Sequence, residues 1–381
     1  MMLLEHHAKA LLGSSGLPVP EGILLTSVSA AGDQFFPVIV KAQVPVGGRG
    51  KAGGVIKASN AAELHELLER LLAMQINGHP VRAVRLERPV DFVRESYISI
   101  AVDADSGGVR IMIAPQGGVD IENPEMCDQI ESRVVDADIA SVQSAVEDIT
   151  AEFAAVSRVP MREAGRALAR VFFEYEALLL EINPLFILSD GRWMAGDAKF
   201  VIDENALPRQ AAIAAIIENN RTLYPETALK LEQGFDFVVL DGDGDIGLVT
   251  TGAGLSMQLV DELTLRGHRP YNFCDIRSGG FKGDPSRLVQ VFRWIADGPS
   301  IGAVLMNFFA GMTNLGELAE LLVIALERVP ELKRVPITAR MIGNGLEEAR
   351  AIIASAGNPI TIETDLERAM NRATQNLKVV R

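Results

Sequence analysis

The chain has 381 residues, 48% of them hydrophobic, and its 36 Lys and Arg against 50 Asp and Glu leave a net charge of −14. That length accommodates two or three domains with cores of their own, and the acidic balance excludes a nucleic-acid or membrane-surface protein, because either needs a basic face. Basic clusters inside such a chain are then local sites for small anions.

The segment "MMLLEHHAKALLGSSGLP" reads as an amphipathic helix ended by glycine rather than a signal peptide. No apolar run approaches ~18 residues, so no membrane span is expected. "FPVIVKAQV" and "GGVIKAS" are strands bracketing a glycine-rich loop, and "NAAELHELLERLLAM" is a helix with Asn60 as N-cap and Glu63 three positions on. "VRAVRLERPV", "ESYISIAVDA" and "GVRIMIAPQGG" read as strands, and residues 138–175 as helical. "EALLLEINPLFIL" and "RWMAGDAKFVID" form two strands joined at Ser189-Asp190-Gly191. A polar connector, "NNRTLYPETALKLEQG", follows. From about residue 236, apolar strands alternate with amphipathic helices: strands at "IGLVTTGAG", "PYNFCDIRSGG", "IGAVLMNFFAG", "VPITARMIGNG" and "PITIET" predict a doubly wound, flavodoxin-like α/β domain with a parallel sheet. Cys127 and Cys274 lack metal-type spacing and read as structural thiols of a reducing compartment, taken to be the cytoplasm.

Gly48-Arg49-Gly50-Lys51-Ala52-Gly53 satisfies G-x-G-x-x-G, but the next segment is β-type, so a dinucleotide fold is excluded; a Walker A loop fails because Ala52 follows Lys51. What remains is a flap whose backbone N–H groups close over phosphates, with Lys41 reaching them from the incoming strand, or else a plain hairpin with solvated cations. Glu181 and Asn183 share a strand face, as do Asp197 and Lys199 on the next strand. If those strands pair, Glu181, Asn183 and Asp197 make an oxygen-rich patch suited to Mg²⁺ beside substrate phosphates; the alternative is a salt-bridged strand pair. "DGDGDI" places Ile246 and Gly252 where a calcium loop needs glycine and a carboxylate, so it reads as a hairpin turn. In the second half, Gly252–Gly254, Gly279–Gly280 and Gly311 each precede a helix, whose N-terminus binds anions at the carboxyl edge of the sheet.

"VIVKAQV…GGRGKAGG", "LEINPL", "DAKF", "DENALPRQ", "GAGLSM" and "NFFAG" occur in order, and together they resemble the β-subunit family of ADP-forming succinyl-CoA synthetases over almost the whole chain. The resemblance implies an ATP-grasp nucleotide-binding domain over 1–235, with a glycine-loop subdomain about 20–105, and a CoA-ligase domain over 236–381. It implies a ligation in which ATP phosphorylates a histidine, the phosphate passes to a carboxylate, and CoA displaces it. Carried onto this sequence, it makes Lys41, Gly48, Arg49, Gly50, Glu87, Val90 and Glu95 nucleotide contacts, with Arg49 also catalytic. It makes Asn183 and Asp197 the Mg²⁺ ligands, Glu181 the carboxylate steadying the phosphohistidine, and Thr251, Gly311, Met312 and Thr313 the acid-binding positions; the helix beginning near Met312 corresponds to one whose N-terminus faces the phosphohistidine at the ligase site.

None of the five histidines, His6, His7, His65, His79 and His268, lies in the phosphohistidine context. The resemblance therefore implies an α-subunit partner that carries it and supplies most of the CoA site, in a heterodimer or an α2β2 heterotetramer. Departures fall near the acid site: Thr251 replaces an asparagine, Asn314 stands where an arginine is common, and Arg277 is inserted. A buried cation lost and another gained suggests an acid whose second polar group lies elsewhere than in succinate, with malate-like or sulfonated acids replacing it. Pro45 replaces a histidine beside the loop. A stand-alone ATP-grasp carboxylate–amine ligase and a non-catalytic nucleotide-sensing subunit are the competing expectations.

Overall fold

A computed structural model describes residues 1–32, 34–118, 130–277, 283–311 and 313–377. The chain divides into two compact units, Met1–Leu223 and Tyr224–Arg381.

The first unit opens with α1 (Glu5–Ser14), whose Ala8, Leu11 and Leu12 are buried. A four-stranded antiparallel sheet follows, in the order β1 (Gly22–Leu25), β6 (Ala83–Glu87), β2 (Val38–Gln43), β3 (Val55–Ala58). Helix α2 (Ala61–Leu72) covers it with Leu64, Leu68 and Leu71, and starts where the sequence places it: the Asn60 side chain accepts the Glu63 N–H at 3.0 Å, and Glu63 reaches back to Ser59 N–H at 2.8 Å. A small ribbon, β4 (Gln75–Ile76) and β5 (His79–Pro80), stands apart. The glycine-loop sheet ends at Glu87, short of the expected 105, because β7 (Arg94–Asp103) pairs instead with β8 (Gly108–Ala114) and β10 (Ala177–Ile187) in a second sheet. That sheet is completed by β9 (Glu131–Val135), β11 (Trp193–Ala195) and β12 (Lys199–Ile202).

The helical stretch 138–175 is present as two helices, α3 (Ile139–Ala151), capped by Asp138, and α4 (Ala155–Glu174). One expectation is corrected here. "RWMAGDAKFVID" is two strands, because the N–H groups of Gly196 (2.9 Å) and Asp197 (3.3 Å) both turn to the Pro184 carbonyl and break the ladder. On its other edge β10 slips register against β7 between Ile182 and Leu185. Asp197 thus sits in a break, not on a strand face.

In the second unit, β15 (Asn272–Asp275), β14 (Ile246–Thr250), β16 (Ala303–Ala310), β17 (Ile337–Gly343) and β18 (Ile360–Glu363) run parallel in that spatial order. Numbered by chain position this is 2-1-3-4-5, the flavodoxin-like order. The polar connector is not a linker. It carries the end of α5 (Ala211–Asn219) and α6 (Pro225–Gln233), and α6 packs on an unforeseen antiparallel edge strand, β13 (Asp236–Val239). The second unit therefore starts before the expected 236. "DGDGDI" forms a turn but joins no hairpin, since β13 pairs with β15 rather than β14. Helices α7 (Ala253–Leu265), α8 (Ser286–Ala296), α9 (Leu315–Glu327), α10 (Leu346–Ser355) and α11 (Leu366–Thr374) complete the unit. No helix among the described residues is long and apolar enough to cross a membrane.

Candidate functional site

Every site residue that the sequence singles out in the first unit lines one cavity of about 550 Å³. Strand β2 delivers Lys41 to it, and the loop delivers Gly48, Arg49 and Gly50; Glu87 and Val90 arrive from the end of β6, and Glu95 from β7. Strand β10 supplies Glu181 and Asn183, and the break before β12 supplies Asp197. The loop closes on itself through Ala52 N–H to Gly48 O (3.0 Å) and Gly54 N–H to Arg49 O (2.8 Å). Gly48 holds φ +79°, in the left-handed region that favours glycine.

Lys51 is exposed, but Lys41 and Arg49 are buried and paired. Lys41 Nζ lies 2.9 Å from Glu5 Oε1, 2.8 Å from Glu87 Oε1 and 2.7 Å from the Gly196 carbonyl. Arg49 donates through Nη1 to Glu5 Oε2 (2.7 Å) and the Ala42 carbonyl (3.1 Å), and through Nη2 to both Asp197 oxygens, each at 2.7 Å. Lys9, buried on α1, contacts Glu5 (2.8 Å), Glu87 (2.6 Å) and the same Gly196 carbonyl (2.8 Å), and Arg85 adds a bond to Glu87 at 2.7 Å. Two ammonium groups on one carbonyl fix the backbone immediately before Asp197. Lys41 and Arg49 are therefore not the solvated cations of a plain hairpin.

Burial alone would raise the Glu5 carboxyl, but Lys41, Lys9 and Arg49 hold it well below the usual carboxylate range. Burial pushes Lys9 below the ordinary lysine range, whereas for Lys41 and Arg49 the facing carboxylates overcome burial and raise both. Glu95 is raised by burial. It lies beside Gly118, whose added Cβ would stand 2.7 Å from Glu95 Oε2.

Asn183 is held by Gly118, receiving its N–H on Oδ1 (2.7 Å) and donating Nδ2 to its carbonyl (3.1 Å). Glu181 faces Lys199 across the β10–β12 pair and accepts a long bond, 3.5 Å, from the Tyr97 hydroxyl. Away from the charges the cavity is apolar, walled by Ile39, Val46, Val90 and the stacked Phe92 and Phe186 rings, 4.4 Å apart. The cavity thus combines an apolar slot, a cationic floor and a rim of hard oxygen atoms. The oxygen set of Asn183 Oδ1 and the Asp197 carboxylate fits a cation that keeps waters and shares substrate oxygens, as Mg²⁺ does.

Sequence reasoning missed Glu5, Lys9 and Arg85. The signal was present: Glu5 and Lys9 are charges one turn apart on the face of α1 that also carries buried Ala8 and Leu12. An amphipathic helix should keep that face apolar.

In the second unit, Thr251 follows β14 at the carboxyl edge of the parallel sheet, is 7% exposed, and its hydroxyl has no hydrogen-bond partner among the described residues. Gly252, at φ +95°, precedes α7 and donates its N–H to Asp275 Oδ1 (2.8 Å). Gly279, Gly280 and Met312 lie outside the described residues, as does Cys127. Gly311 is exposed and Thr313 half-buried, but the helix after them begins at Leu315 rather than near Met312. Asn314 is the reason: its side chain caps that helix, accepting the N–H of Gly316 (2.7 Å) and Glu317 (3.3 Å). Arg277 is no buried cation; its side chain is 54% exposed and pairs with Asp236 at 3.0 Å. Cys274 is buried, and burial pushes its thiol far up, in keeping with a structural role.

Residues 2–187 match the ATP-grasp domain family and residues 249–374 the CoA-ligase family. Over 385 residues the chain is 35% identical to the succinate–CoA ligase [ADP-forming] subunit beta of Halobacterium salinarum, with 98% of each chain covered. It is 34% identical to the protein of the same name from Desulfurococcus amylolyticus, with each chain covered in full (100%). Among solved structures, ATP citrate lyase from Methanothrix soehngenii, in complex with citrate and coenzyme A, matches with a TM-score of 0.73 at 17% identity, covering 98% of this chain and 99% of that one. This last likeness is one of fold.

Proposed function

The chain belongs to the family of β subunits of ADP-forming succinate–CoA ligases, and from that premise we propose that its first unit binds ATP and passes the γ-phosphoryl group to a histidine of a partner α subunit. The observation that carries this reading is the cavity in which Lys41, Arg49, Glu181, Asn183 and Asp197 converge beside an apolar slot. The apolar wall of Val46, Val90 and Phe92 takes the base. The Glu87 carboxylate is fully engaged by Lys9, Lys41 and Arg85, so a base contact from that position falls to its main chain. Lys41, Arg49 and the N–H groups of the Gly48–Gly50 loop neutralise the triphosphate. Asn183 and Asp197 would hold Mg²⁺, which supplies charge neutralisation at the phosphates. Glu181 accepts a hydrogen bond from the incoming imidazole and stabilises the cation that forms as phosphate is transferred.

In the second unit the acid's carboxylate attacks the phosphohistidine, forming an acyl phosphate and returning neutral histidine. The CoA thiol then displaces phosphate, with most of the CoA site supplied by the partner. The unpartnered hydroxyl of Thr251 donates to the acid, together with the 311–313 turn. The substrate is a short dicarboxylate of the succinate type: Asn314 is spent on a helix cap and Arg277 on Asp236, so the exchange of buried cations that pointed to malate-like or sulfonated acids loses its footing. Neither competing expectation gains support, since a stand-alone amine ligase needs no CoA-ligase unit and a decayed sensor would not keep a fully paired charge network.

The test is co-purification with an α-type subunit, followed by acyl-CoA and ADP formation from ATP, CoA and a panel of succinate, malate, malonate and sulfoacetate. Activity of the pair with succinate, and of neither chain alone, is expected. Turnover by this chain alone, or a clear preference for another acid, contradicts the reading.

A further inference from the structure

The carboxylate assigned to the metal is already occupied within the chain. Both Asp197 oxygens lie 2.7 Å from Arg49 Nη2, and Oδ1 also accepts the Ala198 N–H at 2.7 Å. Arg49 has little freedom to leave: its side chain is 9% exposed, and its other nitrogen is tied to Glu5 at 2.7 Å and to the Ala42 carbonyl at 3.1 Å. The Asp197 side chain is 31% exposed, but a divalent cation that reaches it competes with a buried guanidinium for both oxygens, and a buried charge stripped of its counter-ion is costly. Phosphate oxygens change that balance, because they give Arg49 a new anion close to the one it gives up.

We propose that Arg49 locks the metal site in the nucleotide-free chain, so that phosphate binding releases Asp197 and nucleotide and divalent cation bind as a mutually dependent pair. The coupling is reciprocal by linkage: whatever factor nucleotide adds to metal affinity, metal adds to nucleotide affinity. Glu5 anchors the lock through Nη1, which accounts for a fully buried glutamate on the N-terminal helix. The inference rests on the nucleotide reading of the cavity and adds an order to it: the empty chain is a poor metal binder despite two hard-oxygen ligands.

The test is Mn²⁺ titration of the whole chain, followed by electron paramagnetic resonance in the absence of nucleotide. Arg49→Gln should tighten Mn²⁺ binding by about tenfold or more, a gain of binding from loss of a cation. The double variant Arg49→Gln with Asp197→Asn should lose that gain. In the otherwise intact chain, Asp197→Asn should leave nucleotide-free Mn²⁺ affinity unchanged, because the carboxylate is not on offer. Unchanged or weaker Mn²⁺ binding by folded Arg49→Gln overturns the lock. If circular dichroism shows that Arg49→Gln does not fold, Asp197→Asn decides alone, and a clear loss of nucleotide-free affinity overturns it. Calorimetry of ADP binding to the unaltered chain separates the two failures. Absence of ADP binding removes the nucleotide reading, whereas ADP binding with no gain in Arg49→Gln removes the lock only.

Discussion

Glu5 is the residue on which the cations proposed to bind phosphate depend. It contacts Lys9, Lys41 and Arg49 at 2.7 to 2.9 Å, and its side chain is 1% exposed. Glu5→Gln leaves Lys9 and Lys41 to share Glu87 and Arg49 to rely on Asp197 alone, and should cost about 3–5 kcal/mol of unfolding free energy, read by denaturant titration. A cost below about 1 kcal/mol, the scale of a solvent-exposed pair, would mean that the network is not held together as described. Thr251 offers the opposite case. Its buried hydroxyl has no partner among the described residues, so Thr251→Val should change stability by less than about 1 kcal/mol. Partner-histidine phosphorylation should persist while acid-dependent turnover falls. Equal loss of both steps would remove Thr251 from the acid site.

At the scale of elements, the readable features were those with a local cause. Asn60 and Glu63 mark the start of α2 because a cap is a three-residue event. The glycine loop was recognisable because a strand, not a helix, follows it. The break at Gly196–Ala198 was not legible, since it depends on the Pro184 carbonyl drawing two N–H groups from across the sheet. Asp197 therefore lines one cavity with Glu181 and Asn183, but through that break and not through a shared strand face. Helix α9 starts at Leu315 rather than near Met312, although Asn314 carries the local signal of a cap. Asn314→Ala should destabilise the second unit by about 1 kcal/mol, measured by urea unfolding, and a neutral substitution would show that the cap is dispensable.

For the molecule as a whole, alternation of apolar strands and helices yielded the 2-1-3-4-5 sheet of the second unit, because each βα unit repeats one local rule. The first unit was harder to read, because each of its two antiparallel sheets is held together by pairings distant in sequence, such as β1 with β6 and β7 with β10. Its N-terminal helix also sets a pH limit. Burial, with Arg85 adding to it for His6, depresses His6 and His7 to about 4. Between about pH 6.5 and 4 the unfolded chain takes up protons that the folded chain refuses, so stability should fall as pH falls through that window. The His6→Gln, His7→Gln double variant should show a shallower decline in melting temperature between pH 6.5 and 5, where shifted carboxylates contribute little; an unchanged slope would assign the loss elsewhere. The most direct test of the account is a single turnover with γ-³²P-labelled ATP, this chain and its α-type partner. The account predicts acid-labile label on a histidine of the partner, abolished by Asp197→Asn. Label retained on this chain, or transfer undiminished in Asp197→Asn, would contradict it.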